Sequence, residues 1–155
     1  MTATETSEPR AVQTPKLITG AAANVGVRFA GYLIDVIPAM LLGLVAIIPL
    51  IGIMVAGCLL APYWLLRDIV GASLGKLALG LRVVQKDGQP ASTKALILRN
   101  APLALGPILM TIPLLGYLLG PPIAGIMILV EGISLMAQGE RIGDRLAGTA
   151  VVRKQ

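Results

Sequence analysis

Charge in this chain is confined to three segments, separated by two apolar blocks too long for any element of a soluble domain. From Phe29 to Leu66 there are 38 residues whose only charge is Asp35, and from Asn100 to Gly139 there are 40 whose only charge is Glu131. At 1.5 Å per residue each block is about 60 Å of helix, roughly twice the hydrocarbon thickness of a bilayer. Each block therefore reads as a hairpin of two membrane-spanning helices, and the fold class is an all-α integral membrane protein. Asp35 and Glu131 are the two positions where burial of charge needs a reason.

Composition points the same way. Hydrophobic residues make up 55% of the chain and charged ones only 14%, too apolar for a water-soluble domain of this length. The chain has no His and a single Cys, Cys58, inside an apolar block. That excludes an internal disulfide, a His/Cys metal site and any Ser-His or Cys-His catalytic pair. No metal, no cofactor and no enzymatic activity are expected. The net charge of +5 reads as the basic cytoplasmic side of a membrane protein meeting anionic lipid, not as a nucleic-acid surface.

The segments up to Arg28, from Arg67 to Arg99, and from Glu140 to Gln155 hold three, six and four Lys/Arg, which is all thirteen. The hairpin tips, near Pro49 to Gly52 and Gly120 to Pro122, hold none. The positive-inside rule then puts both termini and the central loop in the cytoplasm of a multi-pass protein of the cell (inner) membrane. The expected spans are about 28–48, 51–66, 101–118 and 121–138. Residues 67–99 form the cytoplasmic loop, 140–155 a cytoplasmic C-terminal segment and 1–25 a disordered cytoplasmic tail. Pro38 and Pro107 are expected to kink spans 1 and 3, and a three-span reading with one block partly re-entrant stays open.

A direct repeat lies beneath this pattern. Sliding the chain by 68 residues places Gly71, Gly75, Gly80, Val83, Val84 and Lys86 on Gly139, Gly143, Gly148, Val151, Val152 and Lys154 without a gap. An Arg also precedes each hairpin, Arg28 and Arg99, at an offset of 71. Parallel repeats imply a pseudo-two-fold axis along the membrane normal. Leu81 to Gln85 and Thr149 to Arg153 read as short strands expected to pair with each other beneath the helices. Ser92 or Thr93 is placed to cap a short helix leading into the second block.

These residues resemble the RDD family of bacterial membrane proteins from about Asn24 to Arg153. The resemblance is carried by Arg28, Asp35, the Gly71-Ala-Ser-Leu-Gly75-Lys76 stretch, Leu81-Arg-Val-Val84, Gly88, Arg99 and Gly143-Asp144-Arg-Leu-Ala-Gly-Thr149. The Arg and two Asp of the family name map to Arg28, Asp35 and Asp144. The chain departs from the usual pattern at Ser73-Leu74, where the family has Thr-Pro, and at Gly143, often a His. The resemblance implies a membrane domain often suspected of transport; it implies no substrate.

Arg28 and Asp35 share one face of the first span, about 10 Å apart. Glu131 lies nine residues before Glu140, at about the same depth as Asp35, so the two carboxylates are expected to face each other across spans 1 and 4. Ser134 and Gln138 fall on the Glu131 face and extend a polar track to the cytoplasm. The functional reading is a proton or cation site. The structural alternative makes both carboxylates helix-packing groups, or partners of Arg28, Arg141 or Arg145. Asp144 is expected to fasten the C-terminal segment to Arg28 or Lys76, beside Gly75. Two functions remain open: a transport-related component, which with so few spans needs a homo-oligomer or partner, and an accessory subunit of a larger membrane complex.

Overall fold

The computed structural model describes residues 20–48 and 51–154. In chain order the elements are α1 (Val25–Gly43), a 3₁₀ turn (Leu44–Ile47), α2 (Gly52–Leu66), α3 (Leu74–Ala78), β1 (Leu81–Gln85), α4 (Thr93–Leu98), α5 (Ala101–Met110), α6 (Leu115–Gln138), α7 (Ile142–Ala147) and β2 (Thr149–Arg153). Most of the tail expected over 1–25 lies outside the described residues. Of its last part, Ala22 bridges β2 at Val152 and Asn24 caps α1, accepting from the Gly26 N–H.

The 68-residue repeat is built into this geometry. β1 and β2 pair antiparallel, and Val83 stands opposite Val151, its own repeat equivalent. The rest of the ladder follows as if a two-fold axis passed through that pair. Lys86 N–H donates to the Gly148 carbonyl and Lys154 N–H to the Gly80 carbonyl, the same bond seen from each half. Outside the ladder, Val84 bridges Pro90 just as Val152 bridges Ala22. Gly80 and Gly148, at φ +64° and +61°, make the same left-handed step into each strand, a conformation that excludes most other residues. Ser92, 68 residues after Asn24, caps α4 by accepting from the Ala95 N–H at 3.2 Å. The repeat unit thus begins before the helices.

Pairing β1 with β2 and bridging β2 to Ala22 puts the start of α1, the central segment and the chain's last residues on one side of the helices. Each apolar block therefore leaves that side and returns to it. Among the described residues, two helical stretches are long and apolar enough to cross a bilayer, Val25–Ile47 and Leu115–Gln138. Their returning arms, α2 with 15 residues and α5 with 10, are shorter. Two of the four expected spans thus have helices of full spanning length.

The second hairpin turns earlier than Gly120 to Pro122. Its tip lies between α5 and α6, where Pro113 precedes Leu114 at φ +65°. Pro121 and Pro122 are inside α6, beyond its first turn, so each removes one intrahelical N–H bond, a loss that membrane helices tolerate better than soluble ones. Expected spans 101–118 and 121–138 become a short arm and one long helix. At the first tip, residues 49 and 50 lie outside the described residues, and Gly52 opens α2.

Small residues set the helix spacing. Ala56 and Ala104 are fully buried, and a Cβ on Gly57 would come within 2.7 Å of the Pro107 carbonyl oxygen. Gly106 lies against the Ala124 backbone, while Gly116 and Gly120 receive Met110. Side-chain bulk is replaced by backbone approach, as expected where lipid gives helices no hydrophobic reason to associate. Two tyrosines tie α1 into the bundle: Tyr32 donates to the Ile128 carbonyl at 2.9 Å and Tyr63 to the Asp35 carbonyl at 2.6 Å.

The outer faces stay apolar and exposed, with Ile37, Met40 and Leu41 on α1 and Leu129, Ile133 and Met136 on α6. A core helix of a soluble protein would have these faces covered; here less than a third of either long helix is buried. This is a membrane protein.

Gly75 and Gly143, 68 apart, each press on a backbone carbonyl, that of Gly31 and that of Arg99. Alanine at either position should destabilise the detergent-solubilised protein by about 1–3 kcal/mol through overpacking. Alanine at Gly43, which has nothing within 4 Å, should not. Thermal unfolding of the three variants checks this.

Candidate functional site

The first half places Asp35 on α1 under the N-terminus of α3. One carboxylate oxygen accepts the Gly75 N–H at 2.8 Å; the other accepts Ser73 Oγ at 2.5 Å and faces Arg67 at 3.4 Å. The second half repeats the device with different residues. Glu131, on α6, accepts the N–H of Gly143, the counterpart of Gly75, at 3.0 Å. Asp35 and Glu131 are not equivalent in sequence, yet they satisfy equivalent amides. Among the described residues, no hydrogen bond joins them to each other.

Around these two carboxylates runs one continuous ionic network. Lys76 Nζ contacts Asp68 at 2.7 Å and Asp35 at 3.9 Å, and Arg67 approaches Asp35. Arg99 links Asp68, at 3.5 Å, to Asp144, at 2.6 Å. Asp144 also receives Arg28 at 2.7 Å and Arg141 at 3.2 Å, and Arg141 reaches Glu131 at 3.9 Å. Lys76 and Asp144 occupy the same place in the two repeats and are the two hubs, with opposite charge. Arg28 and Arg99, read in sequence as equivalents at an offset of 71, converge on the two oxygens of one carboxylate. Structurally, the counterpart of Arg99 is Gly31, since each supplies the carbonyl that crowds the repeat-equivalent glycine.

Every expected site residue can now be placed. Arg28, Asp35, Gly75, Lys76, Glu131 and Asp144 belong to the network or hold it. Ser134 sits at its edge, donating to the Glu140 carbonyl at 3.0 Å and facing Arg145 at 3.4 Å. Gln138, the last residue of α6, is exposed and makes no side-chain hydrogen bond to the network. Asp68 as a member of the network and Ser73 as a ligand of Asp35 were not singled out from sequence, whereas Arg141, named there as an alternative partner of the two carboxylates, reaches Glu131 at 3.9 Å. The available signal for Asp68 was a carboxylate directly beside Arg67, at the end of an apolar block.

Burial and charge compete in this cluster. Burial pushes the Asp68 carboxyl up, but Lys76, Arg99 and Arg67 outweigh it and hold the group well below the usual range. Asp144 behaves likewise: burial raises it, and Arg99, Arg141 and Arg28 bring it far below an ordinary carboxylate. For Lys76 burial wins. It lowers the ammonium to about 7 against the pull of Asp68, and Arg67, Arg99 and Arg141 add to the lowering. No cluster of three or more metal-ligating side chains occurs among the described residues.

Folded Lys76 releases its proton near 7, whereas the unfolded chain holds it to the ordinary value of 10.5. Between those values the unfolded state binds more protons, so Lys76 makes stability rise with pH. Asp68 and Asp144 work at the other end: their contribution is present above the ordinary carboxylate value of 3.8 and is lost only as pH falls toward their lower folded values. From pH about 7 to about 10, the unfolding midpoint of the wild type should rise more than that of Lys76→Met. Equal slopes would contradict the assignment.

Sequence comparison matches residues 22–148 to the RDD family. No curated protein and no solved structure matches the chain. The matched stretch runs from the Ala22 bridge to the glycine that precedes β2, and it contains the entire ionic network. The chain belongs to the RDD family.

Proposed function

We propose that this protein is a transport-related membrane component that handles protons within the buried network, at Lys76 and the Glu131 carboxylate. One observation carries the reading: nine ionisable side chains are in contact along the seam between two pseudo-symmetric halves. One of them, Lys76, exchanges its proton near neutral pH. Protonation changes at such a seam alter the attraction between the halves, which is the coupling that alternating access needs. Protons fit better than metal cations, because Asp35 already accepts from Ser73 and Gly75 and faces Arg67 and Lys76. Glu131 keeps one carboxylate oxygen without a hydrogen bond, a place for a proton to reside.

The same commitment of carboxylates to cations also favours a second reading, an accessory subunit whose network only locks its own fold. In either case the exposed Arg82, Lys86, Lys94, Arg153 and Lys154 face the cytoplasm and meet anionic lipid of the cell membrane. The short arms α2 and α5 favour work as a homo-oligomer or within a larger complex.

Reconstituted in liposomes with an internal pH dye, the wild type should pass protons under an imposed gradient. Glu131→Gln and Lys76→Met should each lower the flux about tenfold or more, with Asp87→Asn unchanged. Flux no greater than in empty liposomes, with a fixed partner co-purifying from native membrane, would establish the accessory reading instead. Topology has its own test on a Cys58→Ala background. A cysteine at Leu114, 85% exposed at the second tip, should label from outside intact cells, and one at Gly88 only after the cells are opened.

A further inference from the structure

The network lines one side of a small, partly open cavity of about 20 Å³, formed by Arg28, Asp35, Arg67, Lys76, Arg99 and Arg141 together with apolar side chains. A water needs roughly 10–15 Å³ of such space, so the cavity takes one or two water-sized particles and not a polyatomic ion such as phosphate. Three of the guanidiniums are almost wholly buried, with side chains 3% (Arg67), 0% (Arg99) and 4% (Arg141) exposed. Each nevertheless keeps an N–H group without a hydrogen-bond partner: Nη2 of Arg67, Nη1 of Arg99 and Nη1 of Arg141, while Arg99 Nε has only its 3.5 Å ion-pair contact with Asp68. Arg28 Nε likewise has no hydrogen-bond partner. Buried charged donors left unmatched are costly, and a cluster of them around one cavity calls for an acceptor.

Charge gives the sign of that acceptor. The network holds five cations, Arg28, Arg67, Lys76, Arg99 and Arg141, against four carboxylates, Asp35, Asp68, Glu131 and Asp144. With Lys76 protonated one positive charge is in excess, and water can accept hydrogen bonds but cannot balance it. Asp35, the carboxylate in the lining, is already satisfied by Ser73 and Gly75. We propose that the cavity binds a single monovalent anion of halide size, held by Arg67 from the first repeat and Arg99 and Arg141 from the second. Bound there, the anion bridges the two halves and stabilises their closed arrangement. The site rests on this geometry and on the charge excess present with Lys76 protonated, whether or not the protein moves protons.

The chain supplies its own reporter. Its single tryptophan, Trp64, is buried with the Arg67 guanidinium 4.6 Å from its ring. Full-length protein purified in detergent with gluconate as the anion is titrated with chloride or bromide at constant ionic strength. The expected result is a saturable rise in unfolding midpoint, with a saturable change in Trp64 fluorescence. Arg67→Lys, which keeps the charge but loses the fork of donors, should weaken both about tenfold. Crystals of the wild type grown in bromide should show an anomalous peak bounded by Arg67, Arg99 and Arg141. Identical midpoints in gluconate and halide, or a bromide peak absent from the cavity, would mean that it holds water only and would overturn the proposal. No gradient or flux enters these readouts, so they are decided separately from proton transport.

Discussion

Burying ionised groups is the constraint on which this molecule depends. A carboxylate or guanidinium taken out of water loses several kcal/mol of solvation and recovers it only in a well-matched ionic cluster. The chain meets that demand by concentrating its buried charge in one place. Asp144 accepts from three arginines, and Asp68 from Lys76 and Asn100 beside Arg99. Because those partners come from the start of α1, from α3, from the turn between α4 and α5 and from the start of α7, satisfying the charges assembles the fold. The helices themselves add close packing through glycine and alanine, Gly57 of the first half against Pro107 of the second included, while their outer faces are apolar and exposed.

The repeat explains how such a cluster arises from a short chain. Two similar units meet with their strands paired about Val83 and Val151, which brings the N-termini of α3 and α7 to the same seam. Equivalent positions then carry opposite charge at that seam, and Lys76 is joined to Asp144 through Asp68 and Arg99. Symmetry of backbone with asymmetry of charge is the arrangement expected if the halves hold each other firmly yet can part when one group changes protonation. Asp35 and Glu131 fit the same logic. Each occupies an equivalent backbone amide from a different helix, so divergence in sequence has kept the hydrogen bond while changing the residue that makes it.

Charge spacing alone made much of this legible. Two apolar blocks with basic flanks determine two hairpins with a shared charged side, and the offset of 68 determines which strands pair. The tip of the second hairpin was not legible, since Pro121-Pro122 is the stronger turn signal on paper. What moves the turn is a tight turn at Leu114, with φ +65° and the Leu115 N–H donating to the Pro113 carbonyl, for which a leucine gives no local sign, and the tolerance of membrane helices for internal proline. The two lone carboxylates were recognisable as buried, but their partners were not. Equal depth suggested that they face each other; instead each is claimed by the nearest small helix, because a backbone N–H at a helix start is a donor that periodicity does not display. Ser73 becomes visible as a ligand of Asp35 only once α3 is folded beneath the bundle.

The central claim, that the ionic network rather than lipid-facing packing joins the two halves, is tested most directly at Asp144. Asp144→Asn keeps size and much of the hydrogen bonding while leaving Arg28, Arg99 and Arg141 without their shared counter-charge. Equilibrium unfolding in detergent should show a loss of about 3–5 kcal/mol. The matching change at Glu140, whose pair with Lys86 is partly exposed, should fall within about 0.5 kcal/mol of wild type. An Asp144→Asn protein as stable as the Glu140→Gln control would contradict the account.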